Sequence, residues 1–514
     1  MQYNLLSEPL IRAGRESYSL PALLAAMARG EHISLNAMRP HQRPALHMFL
    51  VQLGTLAMLA ADLRNFPESA VAWRAALRCL TPQFPDDEPW HLVVEDRTRP
   101  AFMQPADPGG LKWSDLSTPD EMDMLITAKN HDMKAEIAVN AVPQDWLFAL
   151  VSLQTMEGYG GRDNHGVVRM NGGSSSRPVL SLAPAREGSA EVDFSAWWAR
   201  DTMRLLEKRH ADGQGAVNGI GLVWLEPWPD GKSLNFDGLD LMFIEVCRRI
   251  RLKAPNGIIR AERSTSKAPR IAAKDLKGVV KDPWAPVNVE EGKALTLGGR
   301  DWSYRLLLDL LFRGKGWARP FLLEPSSEEK DRPMLIIAEA ISRGNAKTEG
   351  FQSRVIPVPH AIIAEMFGEH AVAVADTVVK DIESVSLVLR NALALLAARG
   401  IDKDGEGNFV KPDKSSYSRA MPAQRAFEKL ADRLFFDELW KRVTGRTDAE
   451  LGAMRFGFLG ELEKIARSEF DKASQCIPCP SLMRPRAQAK AQKSLDTGLA
   501  TLLRKFRPTE EANG

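Results

Sequence analysis

The chain of 514 residues contains four cysteines, and this shortage excludes a disulfide-stabilised secreted protein. The cysteines are scattered, apart from the pair Cys476 and Cys479, which lacks a second pair or paired histidines that would complete a zinc site. The first ten residues also lack the basic start, apolar stretch and cleavage site of a secretory signal. We therefore expect a protein of the cytoplasm that uses no cofactor and no metal.

Long apolar runs are also missing. The longest tract, residues 46–61, is interrupted by His47, Gln52 and Gly54. It falls short of the roughly 20 uninterrupted apolar residues that cross a bilayer. The tract therefore predicts a buried helix, and we expect no membrane partner.

Length and composition predict an ordinary globular protein of at least two domains, with 44% hydrophobic and 26% charged residues. Up to about residue 366, short apolar runs such as 220–225 and 334–338 alternate with helical stretches and many Gly and Pro turns. The predicted fold class is α+β. A large, irregular mixed α/β domain over residues 1–366 precedes an all-α four-helix bundle over residues 367–514.

The bundle is predicted from apolar residues that recur every three or four positions. Val378, Ile382, Val385 and Leu389 form one such stripe, and the helix ends before Gly400. Similar stripes predict further helices over residues 422–443, 448–470 and 484–506. Four amphipathic helices with short connections are typical of a four-helix bundle.

Positive charge is concentrated in residues 248–281, which carry eleven Lys and Arg against two acids in a chain of net charge +2. Pro255, Gly257 and Pro269 interrupt any long helix. The pattern predicts a mobile cationic loop suited to phosphate groups. A solvated surface loop without a partner is the alternative.

Two glycine-bearing turns are candidates for ligand contact. Gly158, Tyr159, Gly160 and Gly161 follow an apolar helix, and a Gly172–Gly173 pair comes shortly after. Glycine lets a backbone approach a ligand closely and direct amides toward it. The alternative is a tight turn that only leaves the helix.

A polar turn over residues 342–350 follows the apolar run 334–338. Asn345 and Lys347 in such a turn are able to contact base edges or separate base pairs, whereas the alternative is a solvated hairpin. Acid and base chemistry is available from His131, Asp163 and His165, but no Gly-x-Ser-x-Gly nucleophile motif accompanies them.

These features occur in an order that resembles a known family. Residues 4–11 (NLLSEPLI), residues 100–104 (PAFMQ), the two glycine turns, the turn at 343–350 and the helical C-terminal part follow one another in this way in the large subunit of the type I-E CRISPR Cascade complex, the CasA family. The resemblance spans nearly the whole chain.

The resemblance implies a subunit that is not an enzyme. It would recognise the protospacer-adjacent motif (PAM) in the minor groove of double-stranded target DNA, help to open the duplex and form the R-loop, and recruit the helicase-nuclease. Its partners would be the crRNA-containing Cascade subunits, namely the backbone, small and crRNA 5′-end-binding subunits. The guide RNA would read the target sequence by base pairing.

Specific residues are implied only by this resemblance. The PAM-reading loop would be Gly158, Tyr159, Gly160 and Gly161, and the lysine finger would be Lys277 or, as second choice, Lys281. The strand-separating wedge would be Gly344, Asn345 and Ala346, where this sequence lacks the glutamine of better-known members. The loop that carries Lys129, Asn130 and His131 would contact a partner subunit or the crRNA 5′ end.

Two other functions stay open from the sequence. One is an RNA-binding scaffold, which would bind guide RNA without any preference for duplex sequence. The other is a hydrolase that uses His131, Asp163 and His165, which would lose activity when His165 is replaced.

Overall fold

Helices and short strands alternate along the chain up to Val358, and only helices of any length follow. The computed structural model describes residues 3–35, 37–125, 140–312, 314–329, 332–344, 347–402, 406–407 and 410–507. Within these ranges the α-helices are α1 (Leu20–Ala28), α2 (Arg43–Ala60), α3 (Ala70–Arg78), α4 (Pro143–Met156), α5 (Phe194–Ala211), α6 (Tyr304–Leu311), α7 (Glu369–Ala397), α8 (Lys414–Val443), α9 (Asp448–Cys476) and α10 (Arg484–Arg504).

The strands are short, apart from one long hairpin, and they belong to several small sheets. In chain order they are β1 (Ile11–Ala13), β2 (Glu16–Tyr18), β3 (Ser114–Leu116), β4 (Val179–Pro184), β5 (Ile220–Leu222), β6 (Leu234–Asn235), β7 (Leu239–Ile244), β8 (Arg249–Lys253), β9 (Arg260–Ser264), β10 (Ile271–Ala272), β11 (Val287–Asn288), β12 (Lys293–Ala294), β13 (Trp317–Ala318), β14 (Met334–Gly344) and β15 (Lys347–Val358).

Two antiparallel sheets matter for the site described below. In one, β9 lies between β3 and β8. In the other, β14 lies between β4 and β15, with Ile336 opposite Leu182. The remaining strands form the β1–β2 hairpin, the parallel pairs β5–β7 and β6–β10, and a small sheet of β11 with β12 and β13.

The chain divides into two compact units. The first comprises Met1–Trp302 and Arg313–Pro357, and the second comprises Ser303–Phe312 and Val358–Gly514. Helix α6 therefore groups with the C-terminal helices, where the Tyr304 ring stacks on Phe435 with their centroids 4.6 Å apart. The mixed α/β part followed by a helical part confirms the predicted fold class. The predicted boundary at residue 366 stays a prediction.

Helix α2 is the buried helix that the apolar tract predicts, and its three interruptions have structural roles. His47 Nε2 lies 2.9 Å from an oxygen of Asp201 on α5. Gln52 donates to the carbonyl of Phe243 at 2.7 Å. A Cβ at Gly54 would lie 3.3 Å from the Trp198 ring, so glycine permits α2 and α5 to pack closely. In the described part of the chain, no helix is long and apolar enough to cross a membrane.

The helices α7 to α10 pack against one another as the predicted bundle, with α7 in contact with the other three. A buried charge cluster joins three of them, because Arg442 on α8 and Arg455 on α9 both donate to Asp381 on α7, at 2.9 and 2.6 Å. Helix α8 begins at Lys414, although Pro422 suggests a later start. Asp413 accepts the amide of Ser416 at 2.8 Å and caps the helix, which continues through Pro422.

We predict that Asp201→Ala destabilises the first unit by about 3 kcal/mol, because breaking a buried charge network leaves its partners uncompensated. Asp201 accepts from Arg200 Nη1 at 2.9 Å and from Trp284 Nε1 at 3.2 Å, in addition to its contact with His47. Chemical denaturation followed by tryptophan fluorescence measures the change. The control is Asp212→Ala, at an exposed position that follows the C-terminal end of α5. An equal effect of the two variants would contradict a structural role for Asp201.

Candidate nucleic-acid interface

The first glycine turn closes on the protein's own backbone. After α4, the amide of Gly158 donates to the carbonyl of Ser175 at 3.0 Å, and the amide of Tyr159 donates to Gly173 at 2.7 Å. The Gly160 amide donates to Asn164 at 3.0 Å. These three amides are therefore occupied within the protein. Gly158 is buried, and the exposed residues of the turn are Gly160 and Tyr159, of which Tyr159 is 45% exposed.

Glycine is required at position 158 because other backbone segments approach it too closely for a side chain. A Cβ there would lie 2.3 Å from the Ser175 carbonyl oxygen and 2.5 Å from that of Gly173. Gly166 approaches from the opposite direction, since its own Cβ would lie 2.5 Å from the Gly158 carbonyl carbon. The turn is thus held between two backbone segments.

The basic segment 248–281 is not the mobile cationic loop that its composition predicts. It forms the strands β8, β9 and β10, and four of its arginines are buried. Buried guanidinium groups need hydrogen-bond acceptors, and backbone carbonyls supply them. The contacts are Arg248 to Gly158 at 2.6 Å, Arg249 to Trp228 at 2.8 Å, Arg251 to Val94 at 3.1 Å and Arg270 to Val223 at 2.9 Å.

The remaining cations of this segment face solvent. Lys253 pairs with Asp115 and Glu262, and Lys267 pairs with Asp230. Among the described residues, the other five make no ion pair; they are Arg260, Arg263, Lys274, Lys277 and Lys281. The surface is basic, but its available charge is smaller than the sequence count suggests.

Lys277 is held next to the glycine turns by the residue that follows it. Lys277 is exposed and adopts a left-handed conformation with φ 47°. A Cβ on Gly278 would lie 2.6 Å from the backbone of Met170 and 2.8 Å from that of Asn171, the two residues before the Gly172–Gly173 pair. Residues 170–173 therefore contact both turns: Met170 and Asn171 pack against Gly278, and Gly173 accepts the Tyr159 amide.

Lys281 takes a different position. Its side chain is exposed and lines clefts together with Arg209, Gln214 and Leu241. The structure therefore brings Lys277, the first-choice finger residue, to the glycine turns, and it places Lys281 on a neighbouring surface.

The strand that leads to the predicted wedge is fixed to the same backbone. The amide of Ile341 donates to Ser176 Oγ at 2.7 Å, and the amide of Gly298 donates to Ser175 Oγ at 3.1 Å. The amide of Arg343 in turn donates to the Gly298 carbonyl at 2.8 Å.

Gly344 ends β14, whereas the other two wedge residues, Asn345 and Ala346, lie outside the described residues. The predicted partner loop with Lys129, Asn130 and His131 also lies outside them. Their assignments stay predictions.

Asp163 and His165 hold backbone together. The carbonyl of Asp163 accepts the Ser266 amide at 3.0 Å, and His165 Nε2 lies 3.2 Å from the Ser266 carbonyl oxygen. The Ser266 hydroxyl donates to the Ala268 carbonyl at 2.7 Å. This geometry fastens the glycine turn to the segment between β9 and β10 and gives both residues a structural role.

Glu157, directly before the glycine turn, is the most perturbed acid of this region. Burial raises its pKa to about 8, and the positive charge of Arg248 opposes the shift only in part. One carboxyl oxygen accepts the Met124 amide at 2.9 Å. Glu157 therefore carries a proton near neutral pH, and the region beside the turn lacks the negative charge that the sequence suggests.

Four residues that help to build this site could not be identified from the sequence alone. They are Glu157, Gly166, Arg248 and the hydroxyl of Ser176. A glycine between two glycine turns is a signal for Gly166, and a serine run after Gly173 is a signal for Ser176. No local signal shows that Arg248 points inward, because its partners Gly158 and Gln154 lie far from it in the sequence.

Comparison with solved structures identifies the fold of the whole chain. The CRISPR-associated protein Cse1 from Acidimicrobium ferrooxidans superposes with a TM-score of 0.61 at 17% identity, over 99% of each chain. The chain has the Cse1 fold. Thermus thermophilus CasA (Cse1) matches with a TM-score of 0.63 at 14% identity, over 98% of this chain and 100% of that one. Thermobifida fusca Cse1 matches with a TM-score of 0.60 at 14% identity, over 98% of both.

At this identity the likeness shows a shared fold, and at that level it confirms the resemblance seen in the sequence. No protein-family model matches the chain, and no curated protein matches it. The fold has therefore been kept while most side chains differ, so the role of each residue has to be argued from its own surroundings.

We predict that Gly158→Ala destabilises the first unit by about 1–3 kcal/mol, because the new methyl group meets two carbonyl oxygens that other hydrogen bonds hold in place. Gly238→Ala is the matched control, since a Cβ there has no neighbour within 4 Å among the described atoms. Denaturant unfolding of both variants measures the difference. Equal stability of the two would show that the backbone around Gly158 yields easily.

We also predict a pH-dependent gain in stability for Glu157→Gln. Between the ordinary pKa of 4.5 and the folded-state value of about 8, the folded protein keeps a proton that the unfolded chain has lost. The free energy of unfolding of the parent should therefore fall as the pH rises from about 4.5 to about 8, by at most about 1.4 kcal/mol per pH unit.

Glutamine does not titrate, so the free energy of unfolding of the variant should rise relative to the parent from about pH 5 to pH 8 and stay level above. Denaturation at a series of pH values measures this difference. The exposed Glu187→Gln serves as control. A difference that does not change with pH would show that Glu157 is ionised in the folded protein.

Proposed function

We propose that this chain is the large subunit of a type I-E Cascade complex and that it recognises the PAM in double-stranded DNA. One observation supports the proposal. In a chain with the Cse1 fold, three elements meet at the backbone around Ser175: the glycine turn, the turn that carries Lys277, and the base of the β14–β15 hairpin. Ser176 and Ile341, which are hydrogen-bonded in this arrangement, are 165 positions apart in the sequence.

The proposed contact is to the minor groove of the DNA. Because the amides of Gly158, Tyr159 and Gly160 donate within the protein, the turn offers the groove a smooth glycine surface and the Tyr159 side chain. Lys277 supplies one mobile cation beside it. The minor groove distinguishes little beyond A·T from G·C, so a surface with so few donors should accept more than one PAM.

Duplex opening would begin at the β14–β15 hairpin. Separating each base-pair step costs roughly 1.4 kcal/mol. A turn that is inserted between the strands therefore has to be held firmly by the rest of the protein. The base of the hairpin is fixed by the bonds of Ile341 and Arg343 to Ser176 and Gly298. Exposed cations, among them Lys274 and Lys277, would offset part of the cost through phosphate contacts.

The rest of the assembly follows from the same proposal. The chain would join the backbone, small and crRNA 5′-end-binding subunits, and it would position the helicase-nuclease on the opened target. Cleavage would be carried out by that nuclease, and this chain would contribute binding only.

The test compares target binding by the reconstituted crRNA complex with and without this chain, across a library of randomised flanking bases at fixed salt. We expect tight binding only with certain flanks and only when the chain is present. Binding that ignores the flanks, or that requires only the guide RNA, would overturn the proposal in favour of the RNA-binding scaffold.

The site assignment makes a sharper prediction. Lys277→Ala should weaken target binding roughly fivefold for every flank. It should also reduce the slope of log binding constant against log salt concentration by about one, as expected for one lost phosphate contact. Lys208→Ala removes the same charge from an ion pair with Asp212 and should leave binding unchanged. Equal effects of the two variants would remove Lys277 from the interface.

Gly160→Asp should nearly abolish target binding, because it places a carboxylate on the surface that faces the groove. A Cβ at Gly160 would lie 3.0 Å from Arg248 Nη2, which is bonded to the Gly158 carbonyl, and 3.4 Å from Asn164 Cβ, so the fold of the variant has to be verified. Circular dichroism and thermal unfolding check that the variant is folded. A folded variant that binds target DNA like the parent would contradict the placement of the glycine turn in the groove.

A further inference from the structure

A second cleft adjoins the glycine turn and is not used by the proposed function. It has a volume of about 830 Å³ and lies between the sheet of β3, β8 and β9 and the end of α4, with Gly160 at its edge. Its volume is in the range of roughly 300–1,000 Å³ that is usual for small-molecule sites. We call it the arginine cleft.

The arginine cleft is lined by five cations and two acids. The cations are Lys112, Arg248, Arg249, Arg263 and Arg343. Of the acids, Glu121 accepts the amides of Ser117 and Thr118, and Glu157 carries a proton near neutral pH. The lining therefore has a positive charge that its own acids do not balance.

Three of the cations are available to a ligand. Arg248 and Arg249 already donate to backbone carbonyls, as described above. Lys112 and Arg263 are exposed and make no ion pair within the described ranges. Arg343 is half-buried, and its Nε atom is buried without a hydrogen-bond partner among the described residues. An anionic ligand would supply the acceptor that this nitrogen lacks.

Part of the cleft lining is apolar. It is contributed by Leu116, Met122, Met124, Leu153 and Ile250. An inorganic anion would match only the cations, and an apolar molecule would leave the cations unpaired. A nucleotide has both an anionic phosphate and a flat, weakly polar base.

We propose that the arginine cleft binds one unpaired nucleotide, with its phosphate held by Lys112, Arg263 and Arg343 and its base against the side chains of Met122, Met124 and Leu153. The same chemistry is offered by a free nucleotide and by a nucleotide in a single strand. No aromatic ring lines the cleft, so we expect a base contact weaker than an aromatic stack. The inference does not depend on PAM recognition.

The test measures binding of fluorescein-labelled dT10 to the full chain by anisotropy at fixed salt, with dTMP and inorganic phosphate as competitors. Arg263→Glu should weaken dT10 binding roughly tenfold, because it reverses a charge at the cleft. Arg260→Glu is the matched control. It makes the same charge change on the same exposed strand, β9, outside the cleft, and it should alter binding less than about twofold.

Each outcome decides the proposal. Competition by dTMP at much lower concentration than phosphate supports a nucleotide site, and binding of dTMP without dT10 assigns it to a free nucleotide. Equal effects of Arg263→Glu and Arg260→Glu would show only general surface charge and overturn the proposal. Equal competition by phosphate and dTMP would reduce the site to an anion site without a base contact and also overturn it.

The outcome is independent of the PAM test, because Arg263→Glu should leave the flank preference of the reconstituted complex unchanged. If Arg263→Glu alters dT10 binding and Lys277→Ala leaves target binding intact, the cleft stands and the PAM assignment fails. The reverse result leaves PAM recognition intact and removes the cleft.

Discussion

The site depends on the close backbone approach at Gly158. Two carbonyl oxygens, from Gly173 and Ser175, occupy the space in which any other residue would carry its Cβ, and both accept amides of the glycine turn. This contact joins the end of α4 to the Gly172–Gly173 turn, and through Met170 and Asn171 to the turn of Lys277. A side chain at this one position would push these backbone segments apart.

The same contact determines what kind of surface the turn presents. A glycine-rich turn with free amides would read hydrogen-bond acceptors in a groove, as phosphate-binding loops do. Here the amides of residues 158–160 are occupied, so under the proposed function recognition would rely on shape and on a few side chains. Shape recognition in the minor groove discriminates weakly between sequences, and the proposal assigns the reading of sequence to a guide strand.

Arginine is used in this protein as an internal connector as well as a surface charge. Arg248 binds the Gly158 carbonyl, and Arg249 and Arg270 lie over the Trp228 ring, with their Cζ atoms 4.2 and 5.2 Å from its centroid. Counting charges in the sequence therefore overestimates the positive charge at the surface, because these three arginines are buried. The surface potential near the site comes instead from a smaller set of exposed residues, of which Lys277 lies beside the glycine turns.

Local patterns in the sequence predict the parts of this fold that depend on local physics. The buried helix α2 and the bundle helices follow from apolar periodicity. Helix α8 begins at Lys414 and not at the predicted position 422, because Asp413 caps it and the helix continues through Pro422. Glycine spacing likewise predicts the two turns. The inward direction of Arg248 and the contact of Gly278 with Met170 depend on strands and turns far apart in sequence, so no local pattern contains them.

The Ser175–Ser176 segment joins the two elements to which the proposed function assigns recognition and duplex opening. Ser175 accepts from the glycine turn through its carbonyl and from Gly298 through its hydroxyl, and Ser176 accepts from Ile341 on β14. The glycine turn and the base of the β14–β15 hairpin are thus hydrogen-bonded to two adjacent residues. In the proposed function, free energy gained by seating the turn in a groove would reach the hairpin through these hydrogen bonds.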